Sequence, residues 1–196
     1  MVNRLGRVLL RWRSRFTIRF FLRSAERSDG IFAMPIQAIY AAAWPAIMRI
    51  QTEVYRQSVQ EPLAVLTSKW QAGPSTCAVF SHSDALDEPV AYLLAHPWSS
   101  GTPPHLDQVL VPDEQARDLY LHDLALSSRA QGQGIATLLV EDFLSKAQAL
   151  NVGCIRLVAI QGSQGFWARF GFVPESDAAV DASYGTDAAL MWKKLT

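Results

Sequence analysis

The sequence predicts a single α/β domain, with helices flanking one sheet, preceded by a basic extension. Three observations lead to this fold class. The length of 196 residues suits one domain with a short addition. Helical and strand patterns alternate from residue 34 to residue 196. Neither an internal repeat nor an interior linker divides that stretch. We therefore predict an extension over residues 1–33 and one domain over residues 34–196.

The extension is positively charged, and the rest of the chain balances this charge. Residues 1–30 contain eight arginines but only two acidic residues, Glu26 and Asp29, whereas the whole chain has 18 basic and 18 acidic side chains. The domain is thus mildly acidic, which argues against nucleic acid as its main ligand. No apolar run is long enough for stable insertion into a membrane.

Arginines recur every four residues from Arg7 to Arg27, among apolar residues at helical spacing. This pattern predicts a basic amphipathic helix with three possible functions: contact with a membrane surface, a mitochondrial presequence, or docking on a partner. The alternative is that the chain starts at Met34 and the extension is dispensable. Two thiols within apolar runs, Cys77 and Cys154, favour a cytoplasmic location. A mitochondrial or membrane-surface location is the alternative if the extension is genuine.

The first half of the domain is predicted to hold two helices between short strands. Helical spacing of apolar residues predicts the first helix, and a proline in the first turn marks the second. Two apolar runs joined by a polar turn predict a hairpin, and proline and glycine predict the loop after it. The elements are a strand over 34–40, helices over 44–58 and 61–73, strands over 76–81 and 89–95, and a loop over 96–107.

The second half alternates strand and helix. Apolar residues at helical spacing predict one long helix, which Asn151 and Gly153 end. The elements are a strand over 119–126, a helix over 134–151, a strand over 154–160, a short helix over 166–170, a strand from 172, and a last strand over 188–195.

A glycine-containing turn, Gln131-Gly132-Gln133-Gly134, joins the strand over 119–126 to the long helix. Glycines allow backbone amides to approach a ligand closely, because no Cβ intervenes. The unpaired N–H groups at the start of a helix attract anions, so the turn predicts a pyrophosphate site. A loop that merely begins a helix is the alternative.

Two motifs in this half resemble those of the GNAT (GCN5-related N-acetyltransferase) superfamily. Gln131, Gly134 and Ala136 fit its acetyl-CoA motif, and Phe166 to Phe172 resembles its later signature of an aromatic residue followed by Gly-Phe. The resemblance implies a mixed, twisted, mostly antiparallel sheet that splits near Leu126. It also implies direct transfer of an acetyl group from acetyl-CoA to the primary amine of a small molecule, without a metal.

The resemblance also implies the residues that bind acetyl-CoA. The strand before the turn would pair with the pantetheine arm, and the turn would hold the pyrophosphate. Gln161 and Ser163 lie nearest the position of the asparagine that often contacts CoA. The implied cofactor-binding residues are Leu124, Ala125, Leu126, Gln131, Gly132, Gln133, Gly134, Ile135, Ala136, Thr137, Gln161, Ser163 and Trp167.

His122 is the predicted general base, because an imidazole titrates near neutral pH. Strand alternation predicts that Tyr120, His122 and Leu124 face one side and Asp123 the other. The segment 121–126 resembles the histidine-bearing strand of arylalkylamine N-acetyltransferases, and Tyr120 occupies the position of their second histidine. A histidine that only packs beside the cleft is the alternative.

Trp167 occupies the position at which the family carries the tyrosine that acts as general acid. An indole N–H cannot usefully supply a proton. Tyr184 is therefore the candidate acid, with a loop aromatic that closes the core as the alternative. The acceptor is expected near the first two helices and the loop over 96–107, where Tyr55 and Trp98 could enclose an amine. His96 and His105 lie in that loop, without partners at metal-ligand spacing.

Other functions stay open at this stage. The missing tyrosine allows a non-catalytic acyl-CoA-binding sensor of the same fold, and the motifs allow a protein or peptide N-acetyltransferase. A dinucleotide-binding oxidoreductase is disfavoured, because the third glycine and the acidic residue for the ribose are missing. The chain is expected to be a monomer or a homodimer.

Overall fold

The computed structural model describes residues 35–113, 115–176 and 180–195, so the predicted extension lies outside the described residues. The strands and helices occur in the order that the sequence predicts. The strands are β1 (Ile36–Gln37), β2 (Ala78–Ser81), β3 (Pro89–Pro97), β4 (Leu119–Leu126), β5 (Cys154–Ala159), β6 (Val173–Pro174) and β7 (Ala189–Lys194). The helices are α1 (Trp44–Val54), α2 (Leu63–Ala72), α3 (Ile135–Ala149) and α4 (Gln164–Ala168).

The strands form one mixed sheet in the order β1-β2-β3-β4-β5-β7-β6. Neighbours pair antiparallel, except β4 and β5, which pair parallel. This confirms the predicted mixed, mostly antiparallel sheet. The parallel pair is short, because only Leu119 and Tyr120 align with Ile155 and Arg156. The two strands separate beyond Tyr120, so the split begins earlier than the predicted position near Leu126.

Helices cover both faces of the sheet, and each face has its own core. On one face α3 packs against β4 through residues such as Leu139, Phe143 and Leu121. On the other face α1 and α2 pack against β3 through residues such as Ile47, Leu66 and Tyr92. The split between β4 and β5 therefore opens a passage from the α1–α2 face to the α3 face.

Proline and glycine fix the ends of the first two helices. Pro45 lies in the first turn of α1, where its missing N–H would be unpaired in any case. Pro62 directly precedes α2, and Gly73 ends it. A Cβ on Gly73 would lie 2.9 Å from the Ala95 carbonyl oxygen, so only glycine lets the chain pass so close to β3.

Two of the predicted boundaries that are wrong have identifiable reasons and bear on the site. Helix α1 ends at Val54 rather than residue 58, since Tyr55 is extended (φ −106°, ψ 144°) and its hydroxyl bonds to β4. Strand β3 continues to Pro97, which puts His96 in the sheet opposite Tyr120 rather than in the loop. The first deviation brings Tyr55 to the split, and the second sets the His96 ring beside the rings of Tyr120 and His122.

Candidate active site

A cavity of about 330 Å³ occupies the split between β4 and β5. Its walls come from both faces of the sheet. On the α1–α2 face they are Gln51, Val54, Tyr55, Val59, Glu61, Leu106 and Tyr184. On the α3–α4 face they are Gln131, Ala136, Ile160, Gln161, Ser163, Phe166 and Trp167. The separated strands contribute residues 121–126 of β4 together with Leu157 and Val158 of β5. One cavity thus joins the two faces.

The start of α3 lies at one end of this cavity. Gly132 and Gly134 have φ values of 72° and 77°, a left-handed backbone that favours glycine. No side chain caps the helix at Gly134, and the first helical bond at this end runs from Leu138 N to Gly134 O. The amides of the first turn therefore keep their N–H groups for an anion. Ala136 in this turn borders the cavity.

The structure brings most predicted cofactor residues to the cavity. Those that border it are Leu124, Ala125, Leu126, Gln131, Ala136, Gln161, Ser163 and Trp167. Ser163 precedes α4 without making a capping bond, so its hydroxyl is not used by the helix. Gly132, Gln133, Gly134 and Thr137 lie just outside the lining, and the Gln133 amide donates to Arg129 O at 2.5 Å. The Ile135 side chain is buried in the core, which leaves only its amide for a ligand.

A bulge in β4 changes which side chains face the α1–α2 side. The pairing with β3 shifts between Leu94, opposite Asp123, and Ala95, opposite Leu121, so His122 is the extra residue. His122 and Asp123 both contact groups on the α1–α2 side, whereas Leu124 packs against the α3 core. The predictions that Leu124 faces the same side as His122, and Asp123 the opposite side, are therefore wrong. Simple alternation does not hold across a bulge.

Glu61, which sequence reasoning missed, is the hub of the site. Its Oε1 accepts from Lys69 Nζ at 2.5 Å and from Asp107 N at 2.8 Å, and its Oε2 lies 2.5 Å from His122 Nε2. The Gln51 side-chain amide bonds to both backbone polar groups of Glu61, at 2.8 and 2.9 Å. One buried residue thus links α1, α2, β4 and the loop before β4: its backbone contacts α1, and its carboxylate contacts the other three.

The charges around Glu61 keep it ionised although it is buried. Burial raises the pKa of the Glu61 carboxyl, but His122 and Lys69 outweigh it and lower the pKa to about 2. The Lys69 side chain is fully buried, and burial lowers its pKa against the pull of Glu61. This pair holds a carboxylate against the imidazole of His122, an arrangement that orients an imidazole.

A second buried carboxylate lies beside the first. Asp123 accepts hydrogen bonds from the hydroxyls of Tyr55 and Tyr92, each at 2.5 Å. Burial raises the pKa of Asp123. Both oxygens of Asp123 are therefore occupied by tyrosines, and the bond to Tyr55 fixes that ring at the cavity wall.

The predicted tyrosines form a hydrogen-bonded pair next to His122. Tyr120 is buried and its hydroxyl bonds to that of Tyr184. Tyr184 borders the cavity, donates to Pro104 O at 2.7 Å, and has a pKa raised to about 12 by burial. Trp98, in contrast, lies outside the cavity lining and donates to Thr102 O at 2.8 Å. The suggestion that Trp98 encloses an amine is therefore wrong.

Lys69 had a detectable sequence signal. Val65, Leu66 and Lys69 lie at helical spacing on one face of α2, and both apolar residues are buried. A lysine on an apolar helix face is rarely buried unless it is paired. A lysine at position 69 therefore indicates that an acidic side chain lies beside it in the fold.

We expect replacing Glu61 by glutamine to lower the free energy of unfolding by about 3–5 kcal/mol, because it leaves the buried Lys69 ammonium without its counter-charge. Urea unfolding measures this loss. The matched control is Glu61→Gln combined with Lys69→Met, which removes both charges and should recover most of the stability. A double variant no more stable than Glu61→Gln would contradict the ion pair.

The same residue predicts an acid-sensitive contribution to stability. The folded pKa of about 2 lies below the ordinary 4.5, so the carboxylate stabilises the fold fully above pH 4.5. This stabilisation is lost as the pH falls toward 2. The wild type should therefore lose more stability over this range than the double variant, as measured by urea unfolding at each pH. Parallel losses would contradict the pKa shift.

The described residues contain no group of His, Cys, Asp or Glu placed to hold a metal ion. Within the same part of the chain, no helix is long and apolar enough to span a bilayer.

Comparison with known proteins identifies the fold and the family. The profile of the Acetyltransferase (GNAT) family matches residues 44–172. No curated protein sequence matches the chain. Ard1 from Thermoplasma volcanium has a TM-score of 0.61 and 18% identity, and the match covers 82% of this chain and 97% of that one.

Two further solved structures share the fold. Arabidopsis thaliana Naa50, in complex with a bisubstrate analogue CoA-Ac-MVNAL, has a TM-score of 0.61 and 14% identity, over 82% of this chain and 97% of that one. The loading GNATL domain of CurA from Lyngbya majuscula has a TM-score of 0.67 and 13% identity, over 81% and 96%. The matches confirm the predicted fold, and the profile shows that the chain belongs to the GNAT acetyltransferase family, which implies acyl-CoA-dependent acyl transfer.

Proposed function

We propose that the protein transfers an acetyl group from acetyl-CoA directly to the primary amine of a small molecule. The observation that carries this proposal is the single cavity in the split sheet, which joins the first turn of α3 to His122. A donor can enter from the α3 face and an acceptor from the α1–α2 face, so that the two meet between β4 and β5.

On the donor side, the free amides of residues 135–137 would bind the diphosphate of acetyl-CoA. The pantetheine arm would follow Leu124 to Leu126, where β4 has left its pairing with β5. Gln161 and Ser163 border the same side and supply polar atoms for the arm. In this arrangement the thioester would lie between the separated strands, close to His122.

On the acceptor side, His122 would remove the proton that the amine must lose. The amine nitrogen attacks the thioester carbonyl and forms the amide bond, the C–S bond breaks, and CoA leaves as a thiolate. The Glu61 carboxylate contacts His122 Nε2 and would hold the ring in place. Tyr184 is the candidate that protonates the thiolate, since a pKa of about 12 keeps its hydroxyl protonated at neutral pH.

Contacts across the acceptor end favour a small acceptor over a polypeptide. Tyr184 bonds to Pro104, and Asp107 bonds to Glu61, so the loop before β4 is tied to the α1–α2 wall of the cavity at two points. The turn over 57–59 also contacts the turn over 182–184. A peptide substrate would need an open channel through these contacts for the rest of its chain.

The acceptor walls favour an amine on an apolar body. The lining contains Val54, Val59 and Leu106. Its polar groups are already engaged within the described residues: Gln51 with Glu61, Tyr55 with Asp123, and Tyr184 with Pro104. A second charged group on the substrate would therefore lose water without gaining a partner, which costs several kcal/mol.

Three small amines of equal chain length test this proposal: butylamine, diaminobutane and aminobutyrate. We expect kcat/KM with acetyl-CoA to be about 100-fold higher for butylamine than for the other two, because each of these buries a second charge. Release of the CoA thiol measures the rate. A pentapeptide with a free N-terminus should be the poorest acceptor, and a peptide that outperforms butylamine would contradict the small-molecule assignment.

A variant pair sharpens this test. Val59→Asp puts a carboxylate into the acceptor wall. It should shift the ratio of kcat/KM values toward diaminobutane by about 10-fold, the effect expected of one weak contact between opposite charges. Val111→Asp is the control, since Val111 is 86% exposed and lies outside the cavity lining. Binding of CoA without turnover of any amine or peptide would favour the sensor.

A further inference from the structure

The indole N–H of Trp167 is a donor without an acceptor at the cavity wall. Trp167 is 6% exposed and borders the cavity. Within the described part of the chain, its side chain makes ring contacts but no hydrogen bond. Its nitrogen is not one of the closed-off polar atoms that lack a partner, so the N–H stays accessible from the cavity. Because the N–H of a buried tryptophan is usually paired, a ligand atom is the expected partner.

Aromatic neighbours hold this indole in one orientation. The ring centroid of Phe166 lies 4.9 Å from that of Trp167, with an angle of 81° between the planes. The centroid of Phe172 lies 5.7 Å away, at an angle of 72°, and Phe172 is itself buried in the α3 core. The indole cannot turn without disrupting this packing, so its N–H is fixed in direction before a ligand arrives.

The depth of Trp167 indicates which part of the donor it would contact. The α3–α4 wall has three other polar side chains, those of Gln131, Gln161 and Ser163. The two glutamines are exposed and the serine is half-buried, whereas Trp167 is buried. In the proposed function, the pantetheine arm enters along this wall and ends in the thioester between the strands. The more exposed side chains would therefore contact the arm, and Trp167 would contact its deepest atom, the sulfur.

Donors on the opposite wall are engaged with the protein itself. The Tyr184 hydroxyl donates to Pro104 O at 2.7 Å, and the Tyr55 hydroxyl donates to Asp123 at 2.5 Å. Tyr184 must therefore give up a hydrogen bond before it can protonate a thiolate. The Trp167 N–H has no such bond to break, so it is available to the sulfur from the start of the reaction.

We propose that the Trp167 indole N–H donates a hydrogen bond to the donor sulfur and stabilises it while the C–S bond breaks. This rests on the proposed function. As the amine forms the amide bond, the electron pair of the C–S bond stays on sulfur, and the developing thiolate accepts the hydrogen bond. The indole keeps its proton, because it acts only as a donor. The thiolate is held as an anion until Tyr184 protonates it. A donor fixed in advance favours the charged transition state over the neutral thioester.

NMR of the indole N–H groups tests this contact without turnover. The full chain is titrated with CoA and, in parallel, with desulfo-CoA, in which a hydrogen replaces the thiol group. Loss of one signal in Trp167→Phe identifies Trp167. At a pH at which the bound thiol is ionised, we expect CoA to move this signal downfield and desulfo-CoA to move it much less. A shift with CoA no larger than that with desulfo-CoA would overturn the contact.

The ionisation of bound CoA gives a second readout that does not depend on activity. A hydrogen bond to the thiolate lowers the pKa of the thiol, because it favours the charged form. We expect the ionisation constant of bound CoA to be about 10-fold larger in the wild type than in Trp167→Phe. Ultraviolet absorbance of the thiolate across a pH series measures it. Equal constants in the two proteins would contradict the hydrogen bond.

Kinetics test the contribution to the reaction. In Trp167→Phe we expect kcat for butylamine to fall about 10-fold with little change in KM for acetyl-CoA, since the bond strengthens only as charge develops on sulfur. Trp167→Tyr, whose hydroxyl is again a donor, should recover most of the rate. The matched control is Trp98→Phe, which removes an indole outside the cavity lining and should keep the wild-type rate. Equal kcat values in Trp167→Phe and the wild type would overturn the catalytic role.

The results separate failure of this inference from failure of the proposed function. A wild type that acetylates no amine, although CoA shifts the Trp167 signal and desulfo-CoA does not, would overturn the proposed function and leave the contact in place. Acetylation of butylamine without a CoA-specific shift would overturn the contact alone. A chain that binds neither ligand would overturn both.

Discussion

Replacing His122 by glutamine is expected to lower kcat for acetyl transfer by about 100- to 10,000-fold, the contribution typical of a general base. Affinity for CoA should change less than about two-fold, because His122 contacts Glu61 and Lys69 on the acceptor side. Glutamine suits the test, since its side-chain amide can still donate to the Glu61 carboxylate. Steady-state rates and calorimetric titration with CoA measure the two effects.

The matched control for His122→Gln is His82→Gln, which also removes an imidazole but lies outside the cavity lining. It should keep the wild-type rate. Loss of one limb of the rate–pH profile in His122→Gln alone would support the assignment. If the rate and its pH dependence are unaltered in this variant, His122 is not the base.

Replacing Ala136 by tryptophan is expected to weaken CoA binding by at least about 100-fold. Ala136 is partly exposed and borders the cavity in the first turn of α3, so an indole there would occupy the space in front of the helix amides. Position 136 is also a better site for this test than Gly134, because the φ of 77° at Gly134 would strain any replacement. Titration calorimetry with CoA measures the loss.

Ala149→Trp is the control for this prediction, because Ala149 is exposed and lies in the same helix about 20 Å away. Both variants should show the wild-type circular dichroism spectrum. Unchanged CoA affinity in a folded Ala136→Trp variant would mean that the donor does not bind at the start of α3, and the proposed orientation of the cavity would fail.

The fold was largely predictable because its signals are local. Strand β4 has the predicted limits, and α3 begins within one residue of the predicted start. The cofactor turn was also visible, because its glycines and the following helix are adjacent in the sequence. The roles of the extension, the location and the oligomeric state stay predictions.

The acceptor site was less predictable, because its bonds connect residues distant in sequence. Glu61 and His122 are 61 residues apart, and nothing local to either indicates the other. The bulge at His122 is equally hidden, since it depends on how β3 aligns with β4. The proline and glycine residues after His96 predict a loop there, whereas its pairing with Tyr120 keeps His96 in the sheet.

The shared oxygen of Glu61 has a consequence for how variants behave. Lys69 and the backbone of Asp107 donate to the same atom, and Asp107 adopts a left-handed φ of 62° there. Removing the negative charge of Glu61 therefore releases both the loop that covers the acceptor site and the ring of His122, the proposed base. Substrate binding and the chemical step should then weaken together. A substitution of Glu61 that lowers kcat should therefore also raise KM.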